Sequence, residues 1–280
     1  MFSKSYRCIN YIQSSLNFET KMHVDAASVS LQQRYCSQEN FNVVLSDGRH
    51  YENIKFTNAL YFLEGNQFSK ATALATSDKV KHDNSIVFLN GLIYSVFKAN
   101  GAVSVASYSI SKNKSNTTIR FPGIVSSRNI CVFMSKIYIL GSSDEADKNN
   151  FISFDPAKGF RNRDKLKKHR MGAACSVFAG RIFVSGGCNV GRSSKLKTVF
   201  SYDEFENKWA KAPDMLLIRR DHTSVAVRNK FSWHGTIPEV YDVFSNKFQY
   251  IRLPKIRGPF VTSPVNLGNE ICFSNCTRWR

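Results

Sequence analysis

The chain has 280 residues, of which 42% are hydrophobic and 13% aromatic, a composition that excludes a disordered chain and is ample for a packed core. Its 39 lysines and arginines against 21 aspartates and glutamates give a formal net charge of +18, which favours acidic partners. The charge does not distinguish between nucleic acid, acidic peptides, anionic membrane surfaces and acidic filaments, and a solvated basic surface without a dedicated ligand is the alternative. Seven cysteines, odd in number and unevenly spaced, predict reduced intracellular thiols and not a disulfide framework.

We predict that residues 1–40 are an N-terminal extension with no defined domain, and that residues 22–36 within it form a short helix. The first residues lack the uninterrupted apolar core of a secretory signal, and the longest apolar stretch is too short to span a bilayer. We therefore expect no membrane partner and a cytoplasmic protein, with the nucleus as the alternative. The basic run KLKKHR at 165–170 would suit a nuclear-localisation or nucleic-acid patch, but a solvated loop between two blades is the preferred interpretation.

An aromatic residue followed by Asn at plus five and by a second aromatic at plus seven recurs along the chain. The three full copies are Tyr61, Asn66 and Phe68; Tyr202, Asn207 and Trp209; and Tyr241, Asn246 and Phe248. Two degenerate copies begin at Tyr108 and Phe154, where Ser115 and Arg161 replace the second aromatic. The first aromatics are 39 to 48 residues apart, a period typical of a β-propeller. Each copy predicts a hairpin whose turn uses Asn or Gly and whose aromatics fill the space between neighbouring sheets.

A second kind of hairpin alternates with the aromatic ones. Each copy is a short apolar strand, a two-residue turn and another apolar strand, with Ile93, Ile137, Ile182, Phe231 and Ile271 at the equivalent position. Interleaved, the two kinds predict four-stranded antiparallel blades that follow one another over 41–280 and close into a ring. The ring has five blades if the last strands complete the first blade, and six, with strands missing, if they begin a new one.

The best copy of the repeat is AACSVFAGRIFVSGG, which ends in Gly186 and Gly187, followed by VFSYDEFENKWAKAPDM. On these residues the chain resembles a kelch-repeat β-propeller of the kind found in kelch-like proteins, over roughly 41–276, with the double glycine eroded in the other copies. The resemblance implies an all-β fold of four-stranded antiparallel blades.

The same resemblance implies a function. Kelch-like proteins commonly join such a propeller to a BTB domain and a BACK domain, and serve as substrate receptors of cullin-3 ubiquitin ligases. Residues 1–40 are too short for either domain, so we expect cullin-3 as a partner only where a BTB domain is supplied in another way. Other kelch proteins bind actin, which is the alternative within the binding class.

The position twelve residues before the equivalent apolar residue, just ahead of the first strand of a blade, is basic in three of the five repeats. Lys81, Arg170 and Arg219 occupy this position, Arg128 lies close to it in another copy, and Arg220 follows Arg219. In the resembled family the loop after the second strand lies on the same face, which adds Arg192, Lys195 and Lys197. We expect a basic rim that binds an acidic segment, because arginine recognises carboxylates bidentately. The alternative is that an arginine entering a blade satisfies backbone carbonyls of the neighbouring blade.

The sequence carries no pattern typical of an enzyme or a metal site. Its six histidines have no HxH or HExxH spacing, and His82 and His222, near the start of equivalent strands, are interpreted as rim residues. Cys272 and Cys276 lack a second pair at zinc-site spacing, so we expect no metal and no cofactor. Nucleic-acid binding competes because of the charge, but the aromatics stand where blade cores need them. The sequence thus predicts a non-enzymatic protein-recognition module with an unidentified target.

Overall fold

The structure, a computed structural model, describes residues 34–36, 43–46, 60–64, 67–70, 85–99, 102–109, 112, 114–116, 119–122, 129–141, 151–166, 170–188, 194–220, 222–227, 230–234, 239–242, 244–250, 265–267 and 270–272. Within these ranges the chain is all-β, as predicted. No apolar helix of bilayer-spanning length occurs among the described residues.

The described strands form six antiparallel sheets in chain order. The first three sheets contain β1 (Arg34–Cys36), β2 (Val43–Ser46), β3 (Leu60–Glu64) and β4 (Gln67–Lys70); β5 (Ser85–Leu89), β6 (Leu92–Ala99), β7 (Ala102–Ser109), β8 (Lys114–Ser115) and β9 (Ile119–Pro122); and β10 (Ile130–Phe133), β11 (Lys136–Leu140), β12 (Phe151–Asp155) and β13 (Gly159–Asn162). The last three contain β14 (Ala174–Phe178), β15 (Arg181–Ser185), β16 (Val199–Asp203) and β17 (Lys208–Ala212); β18 (Thr223–Val227), β19 (Lys230–His234), β20 (Glu239–Asp242) and β21 (Lys247–Tyr250); and β22 (Val265–Leu267) and β23 (Glu270–Cys272).

The six sheets are the blades of a closed ring. The first strand of each sheet contacts the first strands of both adjoining sheets, and β1 contacts β5 on one side and β22 on the other. The first strands therefore lie innermost, and each later strand lies farther out. Of the two alternatives left by the sequence, the chain adopts the ring of six kelch-type blades, because β22 and β23 form a sheet of their own and do not complete the first.

The N-terminal boundary lies earlier than residue 41. β1 pairs with β2 and is the first strand of the first blade. The helix predicted over 22–36 is thus wrong for its last three residues, which form a strand, and the rest of that prediction lies outside the described residues.

The inner hairpins form as predicted around two-residue turns. The turn residues are Asn90 and Gly91, Met134 and Ser135, and Ala179 and Gly180, all with positive φ. This left-handed pair matches the twist of the flanking strands, which is why such turns join tightly paired antiparallel strands.

The aromatic hairpins form the outer half of the blades, with registers that depend on turn length. Tyr202 lies opposite Trp209, and Tyr241 lies opposite Phe248. In the third blade the turn is one residue shorter, so Phe154 lies opposite Phe160, and the predicted equivalence of Arg161 is wrong. In the first blade Phe68 lies opposite Leu63, so Tyr61 and Phe68 are not a facing pair.

The core consists of apolar layers between neighbouring blades. Between the third and fourth blades, the Phe151 ring lies 4.8 Å from the rings of both Tyr202 and Trp209, measured between centroids. Between the fourth and fifth, Phe178 and Phe183 pack against Tyr241. This confirms that the aromatics of the repeat fill the space between sheets, where each buries a large apolar area.

Candidate functional site

Strand direction divides the loops of the ring between two faces. The hairpin face carries the turns within the inner and outer hairpins, including 134–135, 179–180, 204–207 and 244–246. The connection face carries the segments that follow each second strand and those that link successive blades, including 194–198 and 213–220. The predicted basic rim belongs to the connection face.

Arg170, just ahead of β14, points into its blade. Its side chain is 1% exposed, and its Nη1 donates to the carbonyl oxygens of Gly186 at 2.9 Å and Thr198 at 2.8 Å. Its Nη2 donates to Thr198 Oγ1 at 2.6 Å, and the guanidinium lies over the Phe200 ring. Burial lowers the pKa of Arg170 to about 10, against the opposing effect of the Asp214 charge, so the side chain is still a cation at neutral pH. Arg170 therefore ties together the two ends of the segment between β15 and β16.

Arg219, at the equivalent position of the fifth blade, is also buried. It is 6% exposed, and its Nη2 lies 2.7 Å from Glu239 Oε1 in an ion pair. Glu239 is fully buried in β20 and also accepts the backbone N–H groups of Leu216 at 2.7 Å and Leu217 at 2.9 Å. The Glu239 carboxylate thus neutralises the buried Arg219 cation and also fixes the backbone segment that precedes Arg219.

The placement of Arg170 and Arg219 on an exposed rim is wrong. A guanidinium has five donors in a fixed fork, and at this position its terminal Nη groups reach acceptors within the arginine's own blade. The structure agrees better with the alternative from the sequence, in which an arginine entering a blade satisfies buried acceptors. The acceptors, however, belong to the arginine's own blade and not to the neighbouring one. Arg220 is exposed as predicted, whereas Lys81, Arg128 and Arg192 lie outside the described residues.

Two segments of the connection face pair with each other beside Arg220. Leu196 and Arg219 form an antiparallel bridge, in which the Arg219 N–H donates to the Leu196 carbonyl at 2.9 Å. The Met215 N–H donates to the Lys197 carbonyl at 2.9 Å, and the Gly187 N–H donates to the Arg219 carbonyl at 2.8 Å. The loop after β15 and the link to the fifth blade therefore form one surface. The buried side chains of Arg170 and Arg219 stabilise the backbone beneath it.

This surface combines positive charge with exposed aliphatic side chains. Its members, which we call the connection-face patch, are Lys195, Lys197, Leu216, Ile218 and Arg220. All five are exposed, with Leu216 at 42% and Ile218 at 60%. The backbone beneath them is fixed by hydrogen bonds, so binding there would order little additional chain.

The hairpin face carries a polar cluster of a different kind. Glu204 accepts a hydrogen bond from Lys136 Nζ at 2.7 Å and lies 3.0 Å from Arg163 Nη2, which joins the third and fourth blades. Burial raises the pKa of Glu204, but the hydrogen bond from Lys136 and the positive charges of Arg163 and Lys136 hold that pKa below its ordinary value. The Glu204 carboxylate is paired with two cations across the junction between blades, which is typical of a structural contact.

His222 is half-buried, and its ring contacts buried residues, which corrects its interpretation from the sequence as a rim residue. Its Nε2 lies 3.0 Å from Ser185 Oγ, and its ring packs on Gly186, where a Cβ would come 2.7 Å from His222 Cε1. Burial and the charge of Arg219 lower the pKa of His222 to about 3. Ser185 is fully buried, so a substrate in solvent does not reach the hydroxyl of this serine. No group of three or more metal-ligating side chains occurs in the described part of the chain.

Sequence reasoning missed Glu239 and both aliphatic members of the patch. The run LLI at 216–218 was a usable signal, since three apolar residues follow the outer strand of one blade and precede the inner strand of the next. Glu239 gave no signal, because its role depends on a contact with Arg219, 20 residues away.

Comparison with known proteins agrees with this geometry. The Kelch motif matches residues 169–216, which span the fourth blade together with Arg170, the double glycine and the first part of the link to the fifth blade. No match to the chain was found among curated proteins.

Proposed function

We propose that the chain is a non-catalytic recognition module that binds an acidic segment of a target protein through the connection-face patch. The observation that carries the proposal is the patch itself, in which three cationic and two aliphatic side chains stand on a hydrogen-bonded backbone. The Kelch motif supports the coarser statement, since repeats of this kind form protein-interaction propellers.

The chemistry of the patch favours an extended peptide in which Asp or Glu flanks aliphatic residues. Leu216 and Ile218 offer apolar area, while Lys195, Lys197 and Arg220 offer partners for carboxylates. Exposed ion pairs contribute about 0.2–1 kcal/mol each, so three of them supply roughly 1–3 kcal/mol together with faster association. Lys81, Arg128 and Arg192 stay predicted members of the same rim.

The cellular role that we propose is that of a substrate receptor acting in the cytoplasm. The resemblance to kelch-like proteins supports it, and cullin-3 recruitment would require a BTB domain from another source. An acidic actin filament would offer the same carboxylates, so filament binding is a second outcome that co-sedimentation would detect.

Nucleic-acid binding is a second candidate because the net charge is +18. Phosphates would engage Lys195, Lys197 and Arg220 but gain little from Leu216 and Ile218. The two candidates therefore differ in their dependence on the aliphatic side chains.

The test measures binding of acidic–aliphatic peptides to the full chain at physiological salt. In the patch variant, Lys195→Glu, Lys197→Glu and Arg220→Glu are combined. The matched control combines Lys158→Glu, Lys208→Glu and Lys247→Glu, which make the same charge change at exposed positions near the hairpin face. A further variant, Leu216→Ser with Ile218→Ser, removes the apolar part alone.

We expect the patch variant to lose roughly 5- to 100-fold in affinity and the control variant to change little. The Leu216→Ser, Ile218→Ser variant should weaken peptide binding and leave single-stranded DNA binding unchanged. Equal losses in the patch and control variants would refute the patch as the binding site. Retention of DNA binding alone at physiological salt would replace the proposal by the nucleic-acid alternative.

A further inference from the structure

Two cysteines face each other across the junction between the third and fourth blades. Cys131 lies in β10 and Cys175 in β14, the innermost strands of these blades, and their sulfur atoms are 3.4 Å apart. Both are free thiols, and the Cys175 thiol donates a hydrogen bond to the Cys131 sulfur. Their closeness is therefore a contact between blades and not between neighbours in one sheet.

The position of this contact repeats around the ring. At the next junction Ser176 of β14 faces Ser224 of β18, with hydroxyl oxygens 2.8 Å apart. Relative to Ile137, Ile182 and Phe231, Cys131 is equivalent to Ser176, and Cys175 is equivalent to Ser224. At the preceding junction the equivalent residues are Val87 and Ile130, which belong to one core cluster. Ring geometry thus brings this pair of positions together whichever side chains occupy them.

Among these three junctions, only the one with two thiols can become covalent. An apolar pair and a hydroxyl pair satisfy the packing of the other two, so packing alone does not require cysteine. The sulfur atoms need to approach from 3.4 Å to about 2.05 Å, which side-chain rotation and a small strand shift can supply.

We propose that Cys131 and Cys175 are a thiol–disulfide redox site that links the third and fourth blades when the protein meets hydrogen peroxide or glutathione disulfide. With peroxide, the Cys175 sulfur takes one oxygen to give a sulfenic acid and one water. The Cys131 sulfur then attacks that sulfur, the S–O bond breaks, and the hydroxyl leaves with the Cys131 proton as a second water. The two thiols lose two electrons and the peroxide gains two.

Exposure sets the order of these steps. Cys175 is partly exposed, whereas Cys131 is 8% exposed, so the oxidant reaches Cys175 first. Contact with the neighbouring Cys175 sulfur and burial raise the pKa of Cys131 well above its ordinary value, so Cys131 is a thiol when its partner is oxidised. With glutathione disulfide, Cys175 forms the mixed disulfide and Cys131 displaces glutathione.

The bond would constrain the unfolded chain. It closes a loop from 131 to 175 that contains three strands of the third blade. A disulfide closing such a loop reduces the freedom of the unfolded state, so the oxidised protein should melt roughly 5–15 °C higher than the reduced protein. This readout does not depend on whether the connection-face patch binds a partner.

The experiment uses the full chain, reduced and then incubated with hydrogen peroxide or with glutathione buffers of stepped potential. Remaining thiols are alkylated, and mass spectrometry follows the cross-linked peptides that contain Cys131 and Cys175. Two test variants copy the neighbouring junctions and are therefore expected to fold: Cys131→Val, as at Val87, and Cys175→Ser, as at Ser224. The control is Cys188→Ser, because the Cys188 thiol is also buried but donates to the Met171 carbonyl.

We expect the cross-link and the rise in melting temperature in the wild type and in Cys188→Ser, and neither in the two test variants. Full alkylation of both cysteines in the folded, oxidant-treated wild type would overturn the proposal. So would a stable glutathione adduct on Cys175 without a cross-link, or a rise in melting temperature that survives Cys175→Ser.

Discussion

Replacing Glu239 by alanine should destabilise the fold by about 4 kcal/mol. The carboxylate is fully buried and pairs with Arg219, itself 6% exposed, at 2.7 Å. Breaking a buried ion pair by removing one partner costs about 3–5 kcal/mol, because the other charge stays buried without compensation. The N–H groups of Leu216 and Leu217 lose their acceptor too, but their segment is partly exposed and water can replace it, so they add little.

Urea and thermal unfolding of the purified chain measure this effect. A loss of about 4 kcal/mol corresponds to a fall in melting temperature of roughly 10 °C for a domain of this size. Glu239→Gln keeps an acceptor oxygen and should lose about half as much. Adding Arg219→Met to Glu239→Ala should recover part of the loss, since no unpaired cation then remains.

The matched control is Glu206→Ala, an exposed acid in the turn after β16, which should change stability by less than about 0.5 kcal/mol. If Glu239→Ala costs no more than this control, the ion pair does not hold the connection-face segments. A further consequence is weaker peptide binding in Glu239→Ala even under conditions where it is folded, because the backbone beneath Leu216 is released.

Two further predictions concern the contact between the fourth blade and the segment that leads into the fifth. Gly186→Ala should cost about 3 kcal/mol or more in unfolding assays, because φ is +60° and the new Cβ would lie 2.6 Å from the Arg219 carbonyl oxygen. The control is Gly180→Ala, which should cost only about 1 kcal/mol, because φ is +70° there but the space around the new Cβ is open. Equal costs would contradict the steric argument. His222, with a pKa of about 3 in the folded protein and about 6.5 when unfolded, contributes stability that is complete above pH 6.5 and falls as the pH decreases towards the folded pKa, by roughly 2–3 kcal/mol between pH 7 and pH 4.5. His222→Gln should flatten this dependence, and an unchanged slope would show that another group titrates.

The parts of the fold that could be predicted from the sequence are those with a local cause. The outer hairpins at Tyr202 and Tyr241 were found because their turns are built from residues close in sequence: each tyrosine hydroxyl donates to the Asn side chain five residues later at 2.6 Å. The wrong assignment of Arg161 also has a local cause. The turn of the third blade is one residue shorter, so the second aromatic of that hairpin is Phe160. β1 was missed because three residues carry too little alternation to identify a strand.

The candidate site was harder to predict because it depends on contacts between distant segments. The recurrence of basic residues correctly marked a shared location, but the sequence does not show whether a side chain at that location points outward or into the blade. For Arg170 and Arg219 the decision rests on acceptors at Thr198 and Glu239, which only the fold brings near. The exposure of Leu216 and Ile218 follows from the same contacts.

Closure of the ring changes how the molecule can come apart. In an open row of repeats, the last unit can detach by uncovering a single face. Here every first strand has two neighbours, and β1 meets β22, so no blade is terminal. Detaching any one blade uncovers both of its own faces and one face on each neighbour. The apolar area exposed is roughly twice that exposed when the last unit of an open row detaches. We therefore expect slow hydrogen exchange with similar protection in all inner strands, in contrast to the fraying ends of linear repeat arrays.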